Sequence, residues 1–216
     1  MNVFVESNFL LEIAFQQEHH LACERILAGA AINKYTLHVP QYALTEVFQT
    51  LHRRGTERAE HQQYFQEQIA QHSREAEADA AEIDQLVRLL NDLLSARTKT
   101  QVSRLFALTQ RLAVEAPGPF LTASVLQEAQ AVQLRHGLTA QDAIVYTSVL
   151  AGLRLLPGGP KLFVTRNDND FRKPAIVEEL RQYECRLLAN FNGAASLLES
   201  STSIFDSSAN SADSIA

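Results

Sequence analysis

The sequence predicts an α/β protein with a central, mainly parallel sheet flanked by helices and a helical insertion. Three observations predict it. Short apolar strands alternate with segments of helical period, the pattern of a sheet covered on both faces. All strand signals vanish between residues 56 and 116. Acidic residues recur at strand ends and near helix starts, where open parallel sheets form their sites.

The elements follow in order. Asn2 to Glu6 reads as a short buried strand, and Ser7 to Phe15 as the helix after it. A second helix spans His19 to Gly29, with Gly29 as its stop. Tyr35 to Val39 is a second strand, ended by Pro40; Gln41 to Arg54 is a helix stopped by Gly55. From Thr56 to Ala116 the chain reads as two or three long helices, a projecting hairpin. Ile83, Leu86, Leu90, Leu93 and Leu94 form one core-facing stripe there; Val102, Leu105, Leu108 and Leu112 form another. Pro117-Gly118-Pro119 is a break. Helices follow from Phe120 to His136 and from Thr139 to Leu153. Lys161 to Thr165 (KLFVT) is a third strand, Ile176 to Arg181 a short helix, and Arg186 to Leu188 a last short strand. One domain over 1–198 is expected, followed by a disordered tail over 199–216, rich in serine, alanine and asparagine.

Composition narrows the function classes. The 216 residues are 46% apolar and 20% charged, which is globular and large enough for a core without staples. Nineteen basic and 25 acidic residues give a formal charge of −6, so bulk charge does not hold the chain on nucleic acid and any such contact needs a local basic patch. No apolar run approaches ~18 residues, and no membrane partner is expected. The opening MNVFVESNFLL carries Glu6 and no basic stretch, so it does not read as a signal peptide. Cys23 and Cys185 are lone cysteines, which fits a reducing cytoplasm. GxGxxG, the P-loop spacing, GxSxG and HExxH are absent, which argues against dinucleotide, P-loop, serine-hydrolase and zincin chemistry.

The acids carry the remaining signal. Glu6 ends the first strand, Glu46 lies one to two turns into the helix after the second, and Asp142 lies in the first turn of the helix near Thr139. Asn167, Asp168 and Asp170 follow the strand KLFVT. Each has an ordinary explanation: TAQD matches a capping box, Glu6 caps a helix, Glu46 is a solvated glutamate, and 167–170 is a polar turn. Jointly, a doubly wound sheet brings them to one rim. Clustered carboxylates raise one another's pKa values, and a divalent cation offsets that cost. Oxygen-only ligands favour Mg²⁺ or Mn²⁺ over Zn²⁺.

Four segments in order resemble the PIN-domain nucleases: VFVESNFLLE the family's opening strand and turn, VPQYALTEVFQTLHRR its second strand and the helix of its second acid, LTAQDAIVYTSVL the helix of its third acid, and KLFVTRNDNDF its fourth strand with the ending that follows. The resemblance covers roughly 1–54 and 118–190. It implies a PIN-like three-layer fold, VapC-type with an enlarged helical insertion, and a metal-dependent endoribonuclease leaving a 5′-phosphate. The catalytic residues it implies are Glu6, Glu46, Asp142, Asn167 and Asp168, with the metal on Glu6, Asp142, Asp168 and Asp170. Asn167 occupies the position of a fourth acid, for which Asp168 or Asp170 substitutes. Ser7, Asn8 and Thr165 match residues that orient water or phosphate. Arg53, Arg54 and Arg166 are the RNA-binding candidates; the arginines of the insertion read as ordinary solvated side chains. The partners implied are RNA, a second copy in a homodimer, and an antitoxin protein if the chain is a toxin. Two departures stand out. Glutamate at position 6 replaces the usual aspartate, displacing the carboxylate by about 1.5 Å, and the insertion is longer than in compact PIN toxins. The Glu6 substitution and Asn167 favour an alternative, a catalytically weak PIN-like scaffold that binds RNA or protein.

Overall fold

The structure, a computed structural model, describes residues 1–72, 74, 80–116, 121–156 and 158–209. The chain opens with β1 (Asn2–Val5), α1 (Ser7–Phe15), α2 (His20–Ala31) and β2 (Thr36–His38). Two long helices follow, α3 (Gln41–His72) and α4 (Ala80–Glu115), then α5 (Ala123–His136) and α6 (Ala140–Leu155). It ends with β3 (Lys161–Val164), α7 (Asp168–Phe171), α8 (Pro174–Gln182), β4 (Cys185–Leu188) and α9 (Phe191–Ala209). Among the described residues the strands form one parallel sheet, ordered β2-β1-β3-β4.

The central strands explain the layering. NVFV and KLFV are almost wholly buried, as a sheet covered on both faces demands. Alternation sends Val3, Val5, Leu37, Leu162 and Val164 into one core with α1, α2, α4 and α9. Phe4, Phe163 and Cys185 enter the opposite core, against α5, α6, α7 and α8. Even Lys161 is buried, its Nζ donating to Gly159 O and Tyr183 O at 3.1 Å each. Cys23 and Cys185 are unbonded core thiols.

Several elements differ from expectation. Gly29 does not stop α2, which continues to Ala31; its missing side chain admits the Tyr35 ring, whose hydroxyl donates to Ile26 O at 2.6 Å. Gly55 does not stop α3 either. Nothing lies within 4 Å of where its side chain would be, so the helix passes through at a cost of about 1 kcal/mol against alanine. The insertion is the far part of a two-helix hairpin, α3 and α4, whose helices at 1.5 Å per residue are roughly 48 and 54 Å long. Its seam is partly polar: Arg58 donates to Thr98 at 2.8 Å and to the buried Gln101 at 2.6 Å, and Gln62 donates to Asn91 at 2.6 Å. Of the first leucine stripe, Ile83, Leu90 and Leu94 are half-buried, while Leu86 and Leu93 face solvent. The second stripe is better buried: Leu105, Leu108 and Leu112 enter the core with Val102 packed beside them. Finally, α9 runs eleven residues into the stretch expected to be without structure; 210–216 lie outside the described residues, as do 117–120 around the expected Pro-Gly-Pro break. No described helix is long and apolar enough to cross a membrane.

Candidate functional site

Strands β1 and β3 are neighbours whose chains leave in opposite directions, β1 towards β2 and β3 towards β4. This is the topological switch point, where open parallel sheets leave a crevice beyond the carboxyl ends of their strands. Glu6 follows β1 there and Thr165 follows β3.

Glu6 is 3% exposed and caps the N-terminus of α1 from extended backbone. Its Oε2 accepts from Asn8 N at 2.9 Å and Ser7 Oγ at 3.0 Å. Its Oε1 accepts from Thr165 Oγ1 at 3.1 Å and Arg166 N at 3.4 Å. Burial nonetheless dominates and raises its pKa, the four donors opposing. Thr165 Oγ1 in turn accepts from Asn167 N at 2.8 Å, and Asn167 Nδ2 donates to Asp142 Oδ1 at 3.0 Å. Asp142 is also held at the start of α6: its N–H donates to Thr139 Oγ1 at 3.1 Å, and the Thr139 hydroxyl donates to Oδ2. Glu46, half-buried on α3, completes the group. Burial pushes its pKa up to about 7; the Ser7 hydroxyl opposes, and the charges of Glu6 and Asp142 add to the rise.

Four distant segments thus bring Glu6, Ser7, Glu46, Asp142, Thr165 and Asn167 to one rim, and Asn8 contributes through its backbone N–H. No family model, curated protein or solved structure matches the chain.

Other expected site residues point elsewhere. Asp168 pairs with Arg172 at 3.1 Å and lines a groove beside β4. Asp170 faces Lys173 at 3.9 Å. Neither bonds to the three rim acids, because the short helix α7 turns them away from Asn167. The arginines are similarly engaged. Arg53 pairs with Glu57 at 3.0 Å on the surface, and the Arg54 guanidinium lies 4.5 Å from the centre of the Phe15 ring. Arg166 reaches Glu12 at 2.7 Å and Glu18 at 3.7 Å. Glu12 was not anticipated. It is 1% exposed, with its second oxygen accepting from His19 N at 2.7 Å. An acid within the apolar run of α1 was the signal available, since a buried carboxylate needs a cation or several hydrogen-bond donors.

The rim acids match a hard divalent cation in kind, since every ligand would be oxygen. Their placement is less favourable. Among the described residues, no three acidic, histidine or cysteine side chains stand together as a metal-holding group. Glu6 and Asp142 both spend their oxygens on protein donors. The acids are near enough to raise the Glu46 pKa without forming a coordination shell.

Proposed function

We propose that the protein is a Mg²⁺- or Mn²⁺-dependent endoribonuclease of PIN-like fold with its site at the β1–β3 switch point. The observation that carries this reading is the hydrogen-bonded chain Glu6–Thr165–Asn167–Asp142, with Glu46 electrostatically joined to both of its acidic ends. Glu46 and Asp142 would hold the cation, with Glu6 behind them fixing the crevice wall. The cation's chemistry is to render a water nucleophilic near neutral pH and to offset phosphate charge. Thr165 and Ser7 orient the acids through their hydroxyls. Asn167 holds Asp142 in its rotamer. The toxin half of a toxin–antitoxin pair fits the same reading, and a small open reading frame directly upstream would support it.

The test is cleavage of structured and unstructured RNAs with Mn²⁺ by wild type, Asp142→Asn and Glu46→Gln. Loss of cleavage in both variants supports the reading; equal cleavage by all three points to a contaminant. A second reading, a scaffold that binds RNA or protein without strong catalysis, is favoured by the saturated oxygens of Glu6 and the lack of a three-ligand metal group among the described residues. Mn²⁺ titration followed by thermal shift separates the two, because a cation that binds only the folded form raises Tm.

A further inference from the structure

A groove of about 880 Å³ lies away from the acidic crevice, along the outer edge of β4. Strand β4 ends the sheet, and among the described residues no strand lies beyond it. Glu184 O and Leu188 O accept from Lys161 N at 3.2 Å and Thr165 N at 3.0 Å, so these carbonyls point towards β3. Strand alternation therefore turns the N–H and C=O of Leu187 and Ala189 outwards, into the groove. Both residues are half-exposed, whereas Cys185 is sheltered.

The opposite wall is helical. Val177 and Arg181 stand one turn apart on α8, and Arg172 closes the end near α7. With Arg186 on the strand, three arginines line the groove against the acids Asp168 and Glu184; Arg172 already pairs with Asp168 and Arg181 with Glu178, both at 3.1 Å on the surface where such pairs are weak, and among the described residues Arg186 pairs with no acid. One Asp168 oxygen, Oδ1, is buried there without a hydrogen-bond partner.

We propose that this strand–helix groove docks an extended acidic peptide segment of a partner protein as an added strand on β4. A peptide backbone offers donors and acceptors in alternation, matching the outward groups of Leu187 and Ala189. Acidic side chains meet the arginines, and apolar ones at alternate positions meet Val177 and Leu187. A nucleic-acid strand fits less well, since its phosphates only accept, and the outward carbonyls and Asp168 would repel them. The site is independent of the nuclease reading.

The experiment uses a fluorescein-labelled octapeptide of alternating glutamate and valine, its lysine counterpart, and a version N-methylated at alternate residues. Anisotropy is expected to show the glutamate peptide binding about ten-fold more tightly than the lysine one. N-methylation, and the exposed substitutions Arg181→Glu and Arg186→Glu, are each expected to weaken binding several-fold. In the wild type, hydrogen exchange at the Leu187 and Ala189 amides should slow when the peptide is added, a readout that needs no variant to fold. No binding, or equal binding of the glutamate and lysine peptides, overturns the proposal. So does an octauridylate that displaces the peptide through the same arginines, which assigns the groove to nucleic acid.

Discussion

Replacing Glu46 with glutamine removes a carboxylate whose pKa burial pushes up to about 7 from an ordinary 4.5. In the unfolded chain it ionises near 4.5; in the folded chain it keeps its proton until about 7. Below pH 4.5 both states are protonated and the full contribution is present. As pH rises through this window the unfolded state releases its proton first, so stability is lost, and the loss is complete above about pH 8. A shift of 2.5 units corresponds to an upper figure of ~3.4 kcal/mol. Glu46 is only half-buried, and solvent screening reduces this to roughly 1–2 kcal/mol. Glu46→Gln carries no such charge. Urea denaturation from pH 5 to 8 should therefore show the variant gaining about 1–2 kcal/mol on the wild type across that range. Glu6 is raised in the same direction by burial and is coupled to Glu46, so its own titration changes with the substitution and adds to the difference between the two curves. Parallel stability–pH curves for the two proteins would refute the raised pKa of Glu46, whose largest cause is burial. Adding Mn²⁺ at pH 8 should raise the wild-type Tm and raise that of Glu46→Gln much less.

Three further outcomes follow from the same network and its surroundings. Thr165→Val deletes the hydroxyl that donates to Glu6 Oε1, and should cost about 1–3 kcal/mol by denaturant titration. Arg166→Ala leaves Glu12 buried without its cation and should cost about 3–5 kcal/mol, whereas Arg166→Leu combined with Glu12→Leu should recover most of that loss. An Arg166→Ala protein as stable as wild type, with weakened RNA binding instead, would restore this arginine as an RNA contact. Gly29→Ala should lower Tm although alanine is the better helix former by about 1 kcal/mol, because the new methyl overlaps the buried, hydrogen-bonded Tyr35 ring.

The α/β class and the parallel sheet were legible because short continuous apolar runs and helix caps are local signals. NVFV and KLFV carry both faces of the sheet in four residues each, and TAQD specifies the start of α6. The helix stops were less legible. Glycine in a sequence marks only permission to break, and at Gly29 and Gly55 the surroundings kept the helix intact. Long-range packing decided the first case, since only the fold reveals that Tyr35 needs the space left by Gly29. The hairpin stripe misled for a related reason. Helical periodicity gives the apolar positions but not how wide a partner covers them, and a single facing helix shelters Leu90 and Leu94 while leaving Leu86 and Leu93 open.

At the rim, sequence order identified the acids but not how their oxygens are spent. Glu6, Asp142 and Asn167 come together because strand ends of a parallel sheet converge, a consequence of topology that chain order alone supports. Whether a carboxylate remains open to a ligand depends on its neighbours' donors, which spacing does not reveal. Asp168 and Asp170 show the difference: two and four residues after Arg166, they lie on α7 and turn to Arg172 and Lys173. Arg166 shows it again, because its charge answers the buried Glu12 before it can meet a phosphate. The bases that remain near the rim are thus few, and an RNA chain approaching it meets a surface whose nearest cations are already engaged. Efficient cleavage would then have to draw its phosphate affinity from the metal itself. For this chain, RNA binding in the absence of divalent cation should accordingly be weak, and its salt dependence shallow.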